Sequence, residues 1–176
     1  PPDIKTPNCR FDFIGGCVWN EERRIRCGNA VEFWNGAENC KVENCEFLEI
    51  YDSCFTTQGG GDCGDFENIV FRSNTMYNYG LAAYEIRDRI GKNVSFEFNV
   101  CDGAGLGFSS QHDGKIRNSE IYPDPVGSHI FAWRIENPTE GGKMRIMSNI
   151  FRGVPKGETF TKKISPSALA QIQTDF

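Results

Sequence analysis

Apolar and polar positions along this chain repeat as a phrase: apolar, x, apolar, x, x, Asn, x, apolar. It is clearest in residues 68–76 (NIVFRSNTM) and returns in 94–101 (VSFEFNVC) and 144–151 (MRIMSNIF). Weaker copies occupy 40–47 and 116–121, and a degenerate first copy occupies 11–18. Anchored on Phe13, Val42, Phe71, Phe96, Ile116 and Ile146, the copies are spaced 20 to 30 residues apart. A period of that length, with short strands and Gly/Asn corners, is the mark of a solenoid.

Each phrase is followed by a second short strand, at 30–34, 54–58, 83–87, 105–109 and 130–134. Strand alternation places Val31/Phe33, Phe55/Thr57, Tyr84/Ile86, Leu106/Phe108 and Phe131/Trp133 on an inner face. Glu32/Trp34, Thr56/Gln58, Glu85/Arg87, Gly107/Ser109 and Ala132/Arg134 then share the outer face. Parallel stacking of such rungs buries a column that no single rung could bury alone. Asn74, Asn99 and Asn149 recur at one register, which predicts an internal ladder of side-chain amides satisfying backbone groups at a corner. The expectation is an all-β parallel coil of about five to six rungs over residues 8–152. Residues 1–10 read as an extended lead-in, and 19–27 as a charged, solvated loop. Ser165-Pro166 reads as an N-cap and first helical residue, so 153–176 is expected to cap the coil with a short helix.

Composition narrows the function. The length, 176 residues, fits one domain, and 19 glycines suit a turn-rich β protein. A net charge of −5 argues against a general nucleic-acid binder. No apolar run approaches the ~18 residues of a membrane span. No signal peptide is recognised, and a chain opening on Pro1 is read as a processed protein or an excised piece. Among the eight cysteines there is no C-x-x-C pair, which speaks against structural zinc. Cys40, Cys45 and Cys101 sit on repeat positions and behave as small buried hydrophobes. Cys17–Cys27 and Cys54–Cys63 are the pairs to test as disulfides, which would imply export.

Chemistry is sought on the outer face of the second strands. Glu32 and Glu85 lie two rungs apart, with backbones roughly 10 Å apart at ~4.8 Å per rung. Side-chain tilt brings their carboxyls into the ~6.5–9.5 Å window of an inverting glycosidase. Thr56 and Gln58 on the rung between can hydrogen-bond a sugar, and Trp34 can stack on one. Arg87 and Arg134 are expected on this face two rungs apart, with Arg89 just beyond Arg87. Guanidinium groups grip a uronate carboxylate bidentately, which brings in a lyase as well as a hydrolase. Ordinary pairing among Glu85, Arg87 and Asp88 is the competing account. His112, in a polar turn, and His129 are general-base candidates by their near-neutral titration. No cofactor is called for. The acidic turn 62–65 and Asp102 offer oxygens to Ca²⁺ but match no calcium-loop pattern.

With its NIVFRSNTM, NVSFEFNVC and MRIMSNIF phrases and their Asn corners, the chain resembles right-handed parallel β-helix proteins of the pectin-lyase-like superfamily. The resemblance implies a short right-handed parallel β-helix and a secreted, carbohydrate-active protein, either glycoside hydrolase or polysaccharide lyase. In the resembling lyases an Arg or Lys often serves as base. Residues 55–59 and 84–89 are also similar to segments of secreted β-helix proteins linked with polysaccharide breakdown. A polysaccharide is the implied partner, with no nucleic acid and no membrane. Fold does not fix function, so a non-catalytic carbohydrate-binding or structural module stands as the alternative. A fragment of an oligomeric spike is a third.

Overall fold

The computed structural model describes residues 4–19, 24–59, 64–107, 127–153 and 159–176, with only the backbone for 4–6, 17–19 and 24–27. The chain winds into a parallel β-helix whose rungs each carry three strands, not two. The first rung is β1 (Ile4–Pro7), β2 (Arg10–Asp12) and β5 (Val31–Trp34). The second is β6 (Cys40–Glu43), β7 (Glu46–Ile50) and β8 (Ser53–Gln58). The third is β9 (Val70–Arg72), β10 (Thr75–Tyr79) and β11 (Ala82–Arg87). The fourth is β12 (Val94–Glu97), β13 (Val100–Ala104) and β14 (Ser128–Ile135). The fifth is β15 (Met144–Met147), β16 (Ile150–Arg152) and β17 (Phe160–Ile164), and β18 (Ile172–Thr174) begins a sixth.

Like strands stack into three parallel sheets: β1-β6-β9-β12-β15-β18, β2-β7-β10-β13-β16 and β5-β8-β11-β14-β17. Each repeat phrase thus holds two strands and the corner between them. The corner is a single residue in the left-handed region, Asn8, Asn44, Ser73, Phe98 or Ser148, with φ between 54 and 57°. One such residue turns the chain from the first sheet into the second without Gly or Pro. The next residue inward is the ladder.

Asn149 Oδ1 accepts from Asn99 N at 2.9 Å and from Asn99 Nδ2 at 3.0 Å. Asn99 Oδ1 accepts from Asn74 N at 2.9 Å and Asn74 Nδ2 at 3.1 Å. Asn74 Oδ1 accepts from Cys45 N at 3.0 Å, and Cys45 Sγ from Cys9 N at 3.4 Å. The amides also donate across the coil, from Asn74 to Val42 O, Asn99 to Phe71 O and Asn149 to Phe96 O. Every amide therefore satisfies backbone groups that burial would otherwise leave costly.

The core is a set of columns. Val42, Phe71, Phe96 and Ile146 stack in the first sheet. Phe11, Phe47, Met76, Cys101 and Phe151 stack in the second. Phe55, Tyr84, Ile130 and Phe160 stack in the third. Rings from different sheets meet inside: Phe55 stacks on Phe71 at 4.4 Å and Tyr84 on Phe96 at 5.5 Å between centroids. Such contacts add to area burial, and each buried ring is worth about 1.5–3 kcal/mol.

Several expectations are corrected. The coil begins at β1, so residues 4–7 are a strand, and Thr6 rather than Phe13 aligns with Val42. The charged segment carries an antiparallel hairpin of β3 (Gly16–Trp19) and β4 (Arg24–Cys27). The weak copy at 116–121 lies outside the described residues. Of the strand expected at 105–109, residues 105–107 belong to a corner rather than to a strand of the coil, and 108–109 lie outside the described residues. Gly103 (φ 81°) holds the left-handed slot that Asn78 fills one rung earlier, and a Cβ there would lie 2.5 Å from Asn78 Oδ1. The helix α1 (Pro166–Leu169) forms with Ser165 Oγ accepting from Ala168 N at 3.1 Å. It does not end the coil: β17 and β18 flank it, making it a corner between the fifth and sixth rungs.

Cys40, Cys45, Cys54 and Cys101 are buried, and Cys54 is not disulfide-bonded. Cys63 lies outside the described residues. In the hairpin Cys27 stands opposite Gly16, and Cys17 opposite Arg26.

Candidate functional site

The outer face of the third sheet carries two columns set by register. One runs Glu32–Thr56–Glu85–Phe131–Thr161, and the other Trp34–Gln58–Arg87–Trp133–Lys163. Phe131 and Trp133 were expected inside. The register Tyr84↔Ile130 and Ile86↔Ala132 instead turns Ile130 and Ala132 inward and the two aromatics outward. There Phe131 joins Leu81 and Ala82 in a small apolar cluster, with Trp133 packed against it.

This shift builds the site. Trp133 Nε1 donates to Glu85 Oε1 at 2.5 Å. The indole lies under the Arg87 guanidinium at 4.6 Å and the Arg134 guanidinium at 5.2 Å from the ring centroid, both within cation–π reach. Arg87 Nη1 also donates to Gln58 Oε1 at 2.7 Å. Asp88 Oδ2 lies 3.7 Å from Arg87 Nε, and Asp88 Oδ1 lies 3.9 Å from Arg134 Nε. A carboxylate, an indole and two guanidinium groups thus form one connected chain.

Arg134 gets there by a backbone irregularity. The pairing of β14 with β17 shifts register between Trp133 and Ile135, and Arg134 has φ 58°. A bulge re-aims the extra residue out of the ladder. Because β14 pairs directly with β11, Arg134 is one rung from Arg87, not two, and its side chain is 56% exposed.

Exposure divides the predicted residues. Glu85 is 0% exposed although it lies on the outer face, and Thr56 and Gln58 are buried with it. Trp34 is 51% exposed. Glu32 is exposed, and its Oε2 accepts from Asn29 Nδ2 at 2.8 Å. Glu32 and Glu85 do flank Thr56 in register. The open part of the face is therefore its margin, where strands meet the next corner: Trp34, Arg87, Trp133, Arg134 and Lys163.

The other candidates lie apart. Arg89 Nη1 is 3.2 Å from Asp65 Oδ1, and Lys92 Nζ is 2.9 Å from Asp65 Oδ2. Lys92 and Arg89 hold the Asp65 carboxyl below its ordinary range, with Lys92 the larger influence. The Asp65 carboxylate is thus shared by two cations. His112 and Asp62 lie outside the described residues. His129 is buried in the core, hydrogen-bonded through Nδ1 to the Tyr79 hydroxyl and stacked on Phe151 at 4.9 Å. Burial pushes its imidazole down to about 4, so it is a neutral core residue.

Trp133 was missed because both members of each pair in Ile130-Phe-Ala-Trp133 are apolar, and bulk pointed it inward. Together these features define a class, a parallel β-helix with a cationic-aromatic margin on its third sheet. Comparison with known proteins adds no relative: no protein family, curated protein or solved structure matches the chain.

Proposed function

We propose that this chain is a carbohydrate-active β-helix, of the pectin-lyase-like kind, that binds a polysaccharide along the margin of its third sheet. The observation that carries this reading is the line of Trp34, Gln58, Arg87 and Trp133 on successive rungs. Trp34 offers an open indole face to the apolar face of a sugar. Gln58 orients Arg87, while Glu85 fixes Trp133, which in turn carries Arg87 and Arg134. Planar guanidinium groups held in place lose less freedom on gripping a hydroxyl or carboxylate. A polysaccharide ligand goes with a secreted or extracellular protein.

Binding is favoured over turnover because Glu85 has no exposed surface, whereas a glycosidase acid must touch the glycosidic oxygen. Hydrolase or lyase activity is the second reading, supported by Glu85 and Glu32 flanking Thr56 across two strand spacings. One experiment separates them. Neutral and uronic polysaccharides are screened for binding, for new reducing ends and for the ultraviolet absorbance of unsaturated products, using wild type and Glu85→Gln. Binding without products supports the module. Products lost in Glu85→Gln support the enzyme. No binding to any polysaccharide refutes both.

A further inference from the structure

The margin is not electrically uniform. Its first rung carries Glu32 beside Trp34, and its second carries the neutral Thr56 and Gln58. Its third carries Arg87, with Asp88 at the corner, and its fourth adds Arg134. On the fifth, β17 brings Lys163, in register with Trp133. Charge thus passes from negative to positive over four strand spacings, roughly 19 Å.

At the positive end lies a cleft of about 620 Å³ lined by Trp133, Arg134, Ile135, Glu136, Lys162 and Lys163, with Ile164 and Ser165 behind. It opens where the bulge interrupts the pairing of β14 with β17. Among the described residues its lining carries Arg134, Lys162 and Lys163 against one acid, Glu136, with Asp88 3.9 Å from Arg134, so cations outnumber acids there. The Trp133 indole forms an apolar wall within it, and Arg134 stands out from the ladder rather than in it.

We infer that this bulge cleft is an anion subsite at one end of the glycan strip, taking a carboxylate or sulfate group of the bound chain. It rests on the glycan-binding reading and adds direction to it. A glycan with charge at one end binds with that end over Arg134 and Lys163 and its neutral end over Trp34. The reverse orientation sets the anion against Glu32. Carboxylate and sulfate share the chemistry that guanidinium and ammonium donors recognise.

The test uses the whole chain as wild type, Arg134→Ala, Lys163→Ala and Trp34→Ala. Calorimetry measures affinity for four probes: inorganic sulfate, a neutral oligosaccharide, and oligosaccharides of equal length bearing one terminal uronate or one terminal sulfate. The Trp133 indole N–H resonance reports on the cleft. The inference expects both charged sugars to bind about tenfold more tightly than the neutral one, an advantage lost in Arg134→Ala, reduced in Lys163→Ala and weakened by salt. Trp34→Ala should weaken all sugars alike and leave sulfate binding unchanged. A preference for only one charged sugar would assign the subsite to that group. Equal binding of neutral and charged sugars, unaffected by Arg134→Ala, overturns the subsite and leaves the glycan reading intact. Sulfate binding that shifts Trp133 and needs Arg134, with no sugar bound, overturns the glycan reading instead.

Discussion

Replacing Asn99 by alanine tests the ladder at its centre. Asn99 is fully buried, and its amide makes four hydrogen bonds. Truncation removes the acceptor of Asn74 N and the side-chain donor to Phe71 O, two groups inside a packed coil. Each buried group left unpaired costs about 1–3 kcal/mol. The expected loss is thus about 2–5 kcal/mol, a large share of the ~5–15 kcal/mol typical of a domain. Urea denaturation followed by circular dichroism measures it against wild type and Asn99→Cys. The cysteine is the informative comparison, because Cys45 already occupies this register and its sulfur accepts from Cys9 N. Asn99→Cys should lose about half as much. A loss below ~1 kcal/mol for Asn99→Ala would sink the reasoning. Equal losses for Ala and Cys would show that volume, not the acceptor, matters.

Extending the ladder should help: Cys45→Asn presents a carboxamide oxygen to Cys9 N and is expected to raise stability by about 1 kcal/mol in the same assay. A pH series should expose His129, whose imidazole is neutral in the fold and drops from 6.5 to about 4. Its contribution is complete above the unfolded value and is lost as pH falls from 6.5 towards 4, about 3 kcal/mol in all. His129→Gln should remove that part of the pH slope; an unchanged slope would show that the imidazole does not carry it. Glu85→Ala removes the acceptor of the Trp133 indole and should cost about 1–3 kcal/mol and alter the near-ultraviolet dichroism, whereas Glu85→Gln keeps an acceptor oxygen and should retain the signal. Identical spectra for the two variants would refute the positioning role.

The repeat phrase made the coil legible, because apolar residues two apart and an Asn three further on are what a stacked corner requires. The number of strands per rung was not legible. Each phrase bends at one left-handed residue, and Ser73, Phe98 and Ser148 give no turn signal of the kind that Gly or Pro would give. Starting the coil at Phe13 rather than Thr6 has a similar origin. Thr6 and Cys9 hold the slots of Val42 and Asn74 with residues that do not match the phrase. The ladder itself was predicted through Asn74, Asn99 and Asn149, and its continuation through Cys45 to Cys9 follows from sulfur acting as a weaker acceptor in the same place. Gln58, Glu85 and Arg87 were found together because β8 and β11 alternate cleanly. Arg134 was placed two rungs from Arg87 because residues 105–109 read as a strand of the coil, whereas β14 pairs directly with β11.

The strand that defeated pattern reading is also the one that makes the site. A one-residue slip in register exchanges the faces of a strand, and is usually resisted because it exposes the apolar set. In β14 both sets are apolar, so either assignment buries something. The inner column takes the smaller pair, Ile130 and Ala132, beside Tyr84 and Ile86, where large rings already fill the coil from the opposite sheets. That frees Phe131 and Trp133 for the outside, where Leu81 and Ala82 receive the phenyl ring and Glu85 receives the indole N–H. The indole then holds two guanidinium groups, one from its own strand and one from the rung before. Glu85 is thus read better as a positioning residue than as an acid at the surface. Binding chemistry at the margin follows from a packing choice in the core, and neither can be altered without the other.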